Sequence, residues 1–134
     1  MTPDNIKSSL RGAPTIIVVD DTEGVRRIIN MQLRTLGYRV VEAKCGLEAV
    51  ELIKRELPAL VLMDINMPEV DGLQTTRMIR QTDGISDTPI IGLSAHHGME
   101  IRSRALEAGC NEFVTKPVEF KRLGELISQH LKSD

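Results

Sequence analysis

Aromatic residues are almost missing from this chain: it has no tryptophan, and Tyr38, Phe113 and Phe120 are the whole supply. The core must therefore be aliphatic, and each ring stands out as a candidate special position. Cysteine is also scarce. Cys45 and Cys110 have neither metal-ligand spacing nor the pattern of a disulfide framework, which leaves two reduced thiols. Positive charge is not in excess: the net charge of -2 gives no basic surface to displace counterions, so no nucleic-acid partner is expected. Long apolar runs are lacking too. Segments such as Ala59 to Met63 fall far short of the about 20 residues that span a bilayer. The opening Met1-Thr2-Pro3-Asp4-Asn5 is not the basic-then-apolar start of a signal peptide. The expectation is a soluble, cytoplasmic protein with no membrane partner.

What is present fits one domain. A chain of 134 residues has room for a single core, and at that size roughly two-thirds of the unfolded surface is buried without disulfide or metal. Residues 1–14 are polar and broken by Pro3, Gly12 and Pro14, which predicts a flexible leader before a folded domain at 15–132. There, short apolar runs alternate with helical spacings. Thr15 to Val19, Tyr38 to Ala43, Leu60 to Met63, Pro89 to Leu93 and Phe113 to Thr115 read as strands. Between them, Val25, Ile28, Ile29, Leu33 and Leu36 give a first helix ended by Gly37, and Leu47, Val50, Ile53 and Leu57 a second stopped by Pro58. Leu73, Thr76 and Ile79 mark a third, and Ile101, Ala105 and Ala108 a fourth closed by Gly109. A fifth carries Phe120, Leu123, Ile127 and Leu131 inward. Strict alternation argues for a parallel sheet with helices on both faces and right-handed crossovers.

In such sheets a ligand sits beyond the carboxyl ends of the strands. The residues there are Asp20 and Asp21 after the first run, Asp64 after the third, Ser94 after the fourth and Lys116 after the fifth. Three clustered carboxylates repel one another, and a divalent cation resolves the conflict. An all-oxygen set of this size suits Mg2+, which keeps several waters and takes one or two carboxylates plus a phosphate oxygen. Lys116 offers a mobile positive charge and Ser94 a hydroxyl, both suited to phosphoryl oxygens. A carboxylate is also a competent nucleophile towards phosphorus.

The runs Val19-Asp20-Asp21, Met63-Asp64-Ile65-Asn66-Met67-Pro68-Glu69-Val70-Asp71-Gly72, Gly92-Leu93-Ser94-Ala95 and Thr115-Lys116-Pro117 resemble the signatures of bacterial response-regulator receivers, over about residues 15–132. The resemblance implies an α/β, flavodoxin-like, doubly wound five-stranded parallel sheet in the order 2-1-3-4-5. It implies that Asp64 is the phosphoacceptor and that Asp21 and Asp64 bind Mg2+ directly. Asn66 would add its backbone carbonyl, and Asp20 would act largely through water. Ser94 and Lys116 would hold the phosphoryl oxygens, and the Lys116-Pro117 bond would be cis. Phe113 falls at the aromatic switch position, where a phenylalanine lacks the hydroxyl of tyrosine and works by burial alone. Thr22 stands where many receivers have a third acid, and Ser94 where threonine is commoner. His96, two residues past Ser94, lies where relatives tune the lifetime of the phosphoryl group; neither it nor His97 is expected to relay phosphate.

The expected function is a phosphoacceptor of a two-component or phosphorelay system. A phosphoryl group passes from phosphohistidine on a histidine kinase or phosphotransfer protein to Asp64 with Mg2+, and slow self-catalysed hydrolysis resets it; no other enzymatic activity is expected. The signal leaves through the fourth helix, fifth strand and fifth helix, around Ile101, Phe113 and Leu123, towards a downstream protein. The domain is then a monomer or a phosphorylation-dependent dimer. The chain ends soon after the fifth helix, so the expected output is a protein surface. Two other classes use similar parts. A Mg2+-dependent carboxylate-nucleophile phosphatase usually has a second acid two residues after the nucleophile, where Asn66 stands here, and would turn over phosphate esters. A receiver-like binding module would bind Mg2+ without being phosphorylated.

Overall fold

The computed structural model describes residues 12–67, 70–96 and 98–131. Most of the expected leader (1–11) therefore lies outside the described residues, as do Pro68, Glu69, His97 and Lys132. The elements are β1 (Thr15–Val19), α1 (Glu23–Thr35), β2 (Arg39–Ala43), α2 (Gly46–Glu56), β3 (Leu60–Asp64), α3 (Gly72–Arg80), β4 (Ile90–Ser94), α4 (Met99–Ala108), β5 (Glu112–Thr115) and α5 (Phe120–Leu131). All strand pairs are parallel, in the order β2-β1-β3-β4-β5. This is the flavodoxin-like, doubly wound sheet expected from the sequence. The strand order reverses between β1 and β3, so the crevice beyond their carboxyl ends is the natural ligand position.

The continuous apolar runs are explained by burial on two sides. Ile16 and Val18, with Leu60, Leu62, Ile91 and Leu93, face the layer containing Leu33 of α1 and Leu123, Leu126 and Ile127 of α5. Ile17, Val19, Val61 and Met63 face the opposite layer, with Ala49 and Ile53 of α2, Leu73 and Ile79 of α3 and Ala105 of α4. Successive strand residues alternate between these two cores, so neither face can be polar. Cys45 is exposed, Cys110 is buried, and both are free thiols; burial pushes the Cys110 thiol up.

The helix ends follow local chemistry. After α1, Gly37 at φ 97° donates to the Arg34 carbonyl while Tyr38 donates to that of Leu33, a Schellman closure. That use of its N–H is why β2 starts at Arg39 rather than Tyr38. Asp71 caps α3 reciprocally with Gln74. Leu57 leaves α2 in the left-handed region at φ 47°, just before Pro58.

Several apolar residues do not go where the helical spacing suggested. Phe120 is 39% exposed, not inward, because it is the first residue of α5 and the inward stripe starts a turn later at Leu123. Ile28 and Leu47 are each 58% exposed and Leu57 is 67% exposed. They lie at the margins or ends of stripes whose centres, Leu33 and Ile53, fill the space against the sheet. No helix among the described residues is long and apolar enough to cross a membrane.

Candidate functional site

Asp64 and Ser94 are the last residues of β3 and β4, while Asp20 and Lys116 directly follow β1 and β5. The register sets Asp64 against Leu93 and Ser94 against Thr115. Beyond the strands the ladder continues through Asp20 N–H to the Ala43 carbonyl, Ile65 N–H to that of Leu93 and Lys116 N–H to that of Ser94. The rim is thus held by backbone bonds on all five strands. The Lys116-Pro117 peptide is cis. Gly72 is required at the near side, because a Cβ there would strike the Asp64 carbonyl and lie 2.8 Å from Ile65 Cα. Only glycine lets α3 start this close to the end of β3.

Asp20, Asp21 and Asp64 present carboxylate oxygens that all lie within 4.8 Å of one another. Asp20 and Asp64 are buried and Asp21 is exposed. Lys116 bridges the two buried acids, with Nζ 3.0 Å from Asp20 Oδ2 and 3.3 Å from Asp64 Oδ1. Asp20 Oδ1 accepts the Thr22 N–H at 2.8 Å, so both oxygens of Asp20 are engaged. Asp64 Oδ1 also accepts the Asn66 N–H at 3.0 Å, whereas Asp64 Oδ2 and the Asp21 carboxylate accept no hydrogen bond among the described residues. Burial raises the pKa of Asp64, and the neighbouring Asp20 charge adds to the rise against the opposing Asn66 N–H and Lys116. Burial works against the charge on Lys116, but the hydrogen bond to Asp20 and the two carboxylate charges outweigh it and raise its pKa.

The donor set fits a small hard cation. Adjacent ligands of an octahedral Mg2+ at about 2.1 Å lie roughly 3.0 Å apart and opposite ones roughly 4.2 Å. Three oxygens within 4.8 Å of one another are close to that spacing. The oxygens that remain uncommitted belong to Asp21 and Asp64, while Asp20 is turned towards Lys116 and the Thr22 N–H.

Of the other residues singled out by sequence, Asn66 shows a side-chain contact that spacing did not reveal. Its Oδ1 accepts the Ser94 hydroxyl at 2.7 Å and the Ala95 N–H at 3.2 Å. Two donors converge on this one atom, which identifies it as the amide oxygen. Ser94 Oγ in turn accepts the His96 N–H at 3.0 Å. The His96 side chain is exposed and lines a shallow hollow of about 280 Å³ with Ile101 and Arg104. Phe113 is 8% exposed, so its ring is already inside in this structure. Sequence reasoning missed Arg26, Asn30 and Glu42, which lie behind Asp20. Their contact depends on the pairing of β1 with β2 and the phase of α1, for which no local motif exists.

The profile of the response regulator receiver domain matches residues 16–128. Among curated proteins, the chain is 30% identical over 117 residues to the polar-differentiation response regulator DivK of Brucella anthropi, covering 87% of this chain and 95% of that one. It is 33% identical over 127 residues to hybrid signal transduction histidine kinase F of Dictyostelium discoideum, covering 92% of this chain but only 12% of that protein. Among solved structures, the receiver domain of a sensor histidine kinase from Pseudomonas aeruginosa, with a magnesium ion coordinated in its active site cleft, superposes with a TM-score of 0.84. Its identity is 32%, over 91% of this chain and 100% of that one. The acid-lined rim, the five-stranded order and a profile match spanning nearly the whole sheet converge, and the chain belongs to the response regulator receiver domain family.

Proposed function

We propose that this receiver, spanning residues 15–132, takes a phosphoryl group onto Asp64 from the phosphohistidine of a histidine kinase or phosphotransfer protein in the cytoplasm. The observation that carries the reading is the placement of Lys116 between Asp20 and Asp64, with Asp21 at the same rim. Such a site concentrates negative charge and sets a cation at its centre, as transfer of a phosphoryl group requires. One oxygen of the Asp64 carboxylate attacks and the other is left for the cation: the bond to phosphorus forms as the phosphorus–nitrogen bond of the donor breaks, and the electron pair leaves with the imidazole. Mg2+ held by Asp20 (largely through water), Asp21, Asp64 and the Asn66 carbonyl would neutralise charge on the phosphoryl oxygens. The magnesium in the Pseudomonas receiver supports this assignment. Water later attacks the acyl phosphate, releasing inorganic phosphate and restoring Asp64.

Lys116 and Ser94 hold the phosphoryl oxygens in the modified state. For Ser94 this requires a change of partner, because its hydroxyl proton is given to Asn66 here. Exchange of that bond for one to the phosphoryl group draws the start of the β4–α4 loop towards Asp64. The modified side chain carries about -1.5 to -2 by analogy with phosphoserine, about -0.5 to -1 more than the ionised carboxylate it replaces, and this change biases the face formed by α4, β5 and α5. Phe113 moves by repacking alone, and the signal passes to a downstream protein.

His96 completes the proposal as a shield against the attacking water. His96→Ala is expected to shorten the half-life of the acyl phosphate several-fold, followed as loss of label after donor removal; an unchanged half-life contradicts this role.

The donor needs a surface beside the rim. An apolar groove of about 480 Å³ lies there, walled by Val25, Ile28 and Ile29 of α1 and by Pro117 and Val118, with Lys116 at its edge. Ile28 is 58% exposed on this wall. Ile28→Arg is expected to slow transfer from a phosphorylated phosphotransfer protein at least tenfold while labelling by acetyl phosphate continues at its normal rate. Equal slowing with both donors would show damage to the site itself.

A further inference from the structure

The peptide that joins Asp20 to Asp21 is held from behind by a side-chain relay. Arg26 Nη1 donates to the Asp20 carbonyl oxygen at 2.8 Å, and that oxygen belongs to the Asp20–Asp21 peptide plane. The same guanidinium donates through Nε to Glu42 Oε1 at 2.6 Å, with the Arg26 side chain 12% exposed. The second carboxylate oxygen of Glu42 accepts from Asn30 Nδ2 at 2.6 Å. Burial alone would raise the pKa of Glu42, but the hydrogen bonds from Arg26 and Asn30, with the charges of Arg26 and Arg27, hold it below the usual carboxylate range. Glu42 is therefore ionised at neutral pH and its own charge is matched by that of Arg26. On the other side of the same residue, Asp20 N–H is tied to the Ala43 carbonyl. Both peptide groups of Asp20 are thus pinned to β2, an edge strand that contributes no residue to the rim.

We infer that Arg26, anchored by Glu42, is a positioning residue that sets the angle between the Asp20 and Asp21 carboxylates and so preorganises the cation site. The inference rests on the Mg2+ reading of the rim and adds a specific dependence on groups that touch neither metal nor phosphate. The chemistry gives it an unusual sign. Arg26 is a cation close to a cation site, so loss of its charge by itself would strengthen metal binding. Loss of its positioning weakens it, because ligands held in the wrong orientation must be reordered on binding. Arg27, one residue on, is engaged with Glu23 on the outer side of α1 and cannot substitute.

The test is direct titration of the purified chain with Mn2+, a spectroscopic stand-in for Mg2+, read as free Mn2+ by electron paramagnetic resonance, with thermal unfolding recorded in chelator. Arg26→Met is expected to weaken Mn2+ binding about tenfold, the low end for loss of a supporting hydrogen bond. Glu42→Ala should weaken it similarly, and the double variant no more than the worse single one, because the two act as a unit. A merely structural role would lower Tm in chelator and leave the Mn2+ affinity of the folded protein unchanged. Unchanged or tighter binding by Arg26→Met would therefore overturn the proposal. Should Arg26→Met not fold, Arg26→Gln serves: its amide nitrogen ends about where Arg26 Nε lies, so it can reach Glu42 but not the Asp20 carbonyl, and weaker binding supports positioning whereas wild-type affinity overturns it. Failure of the unsubstituted chain to bind Mn2+ at all would overturn the metal reading, and this proposal with it.

Discussion

Asp64→Asn is expected to abolish incorporation of phosphate from acetyl phosphate and Mg2+, to below about one-hundredth of the wild-type rate. An amide oxygen is a far poorer nucleophile than a carboxylate, and no other acid reaches the same position: Asp20 is engaged by Lys116 and Thr22, and Asp21 is exposed at the rim's outer side. The same substitution has a second signature. Burial and the neighbouring Asp20 charge raise the pKa of Asp64 in the folded protein. An acid whose pKa is raised on folding binds its proton more tightly in the folded state. Its stabilising contribution is present below the ordinary carboxylate pKa and is lost as pH rises through the raised value. At neutral pH the ionised group therefore costs stability. Without metal, Asp64→Asn should raise stability at neutral pH by on the order of 1 kcal/mol, or roughly 3–5 °C in Tm, and the gain should fade as the solution is acidified. Thermal unfolding across a pH series in chelator checks it. A variant less stable than wild type at neutral pH would show that the carboxylates are not in conflict.

Mg2+ should stabilise the unsubstituted protein too, and by more, because it resolves the same conflict among the carboxylates. A cation that binds the folded rim and not the unfolded chain stabilises by about 2.7 kcal/mol at one hundred times its dissociation constant, which is roughly 10 °C in Tm. Asp21 has a carboxylate with no partner among the described residues and is exposed, so its substitution removes a ligand without disturbing the core. Asp21→Asn should weaken the cation at least tenfold, and the gain at the same Mg2+ concentration then falls to about 1.4 kcal/mol or less. Its Tm in chelator should stay near that of wild type. The protection should also weaken in acid, where protons compete for Asp64. Equal thermal protection of wild type and Asp21→Asn would place the cation elsewhere.

The fold was legible because β-branched and aliphatic runs at regular intervals leave few alternatives to a parallel sheet covered on both faces. The positions of Asp20, Asp21, Asp64, Ser94 and Lys116 followed from the same pattern, since each directly follows or ends such a run and a parallel sheet gathers those ends at one rim. The helices were read less well. Spacing locates a stripe but not its margins, so Ile28, Leu47 and Phe120 were indistinguishable from Leu33 and Ile53. The contacts between distant segments were not legible at all. The bond from Ser94 to the Asn66 side chain and the Arg26–Glu42 relay depend on loop direction and helix phase, which three-dimensional packing decides.

The most direct test is to locate the phosphoryl group. The protein is treated with acetyl phosphate and Mg2+, reduced with borohydride, which converts an aspartyl phosphate to homoserine, and mapped by peptide mass spectrometry. The account predicts homoserine at position 64 and nowhere else, dependent on Mg2+. A modified residue elsewhere, such as a stable phosphate on Ser94, or an unmodified Asp64 in protein shown to bind Mg2+, would contradict it.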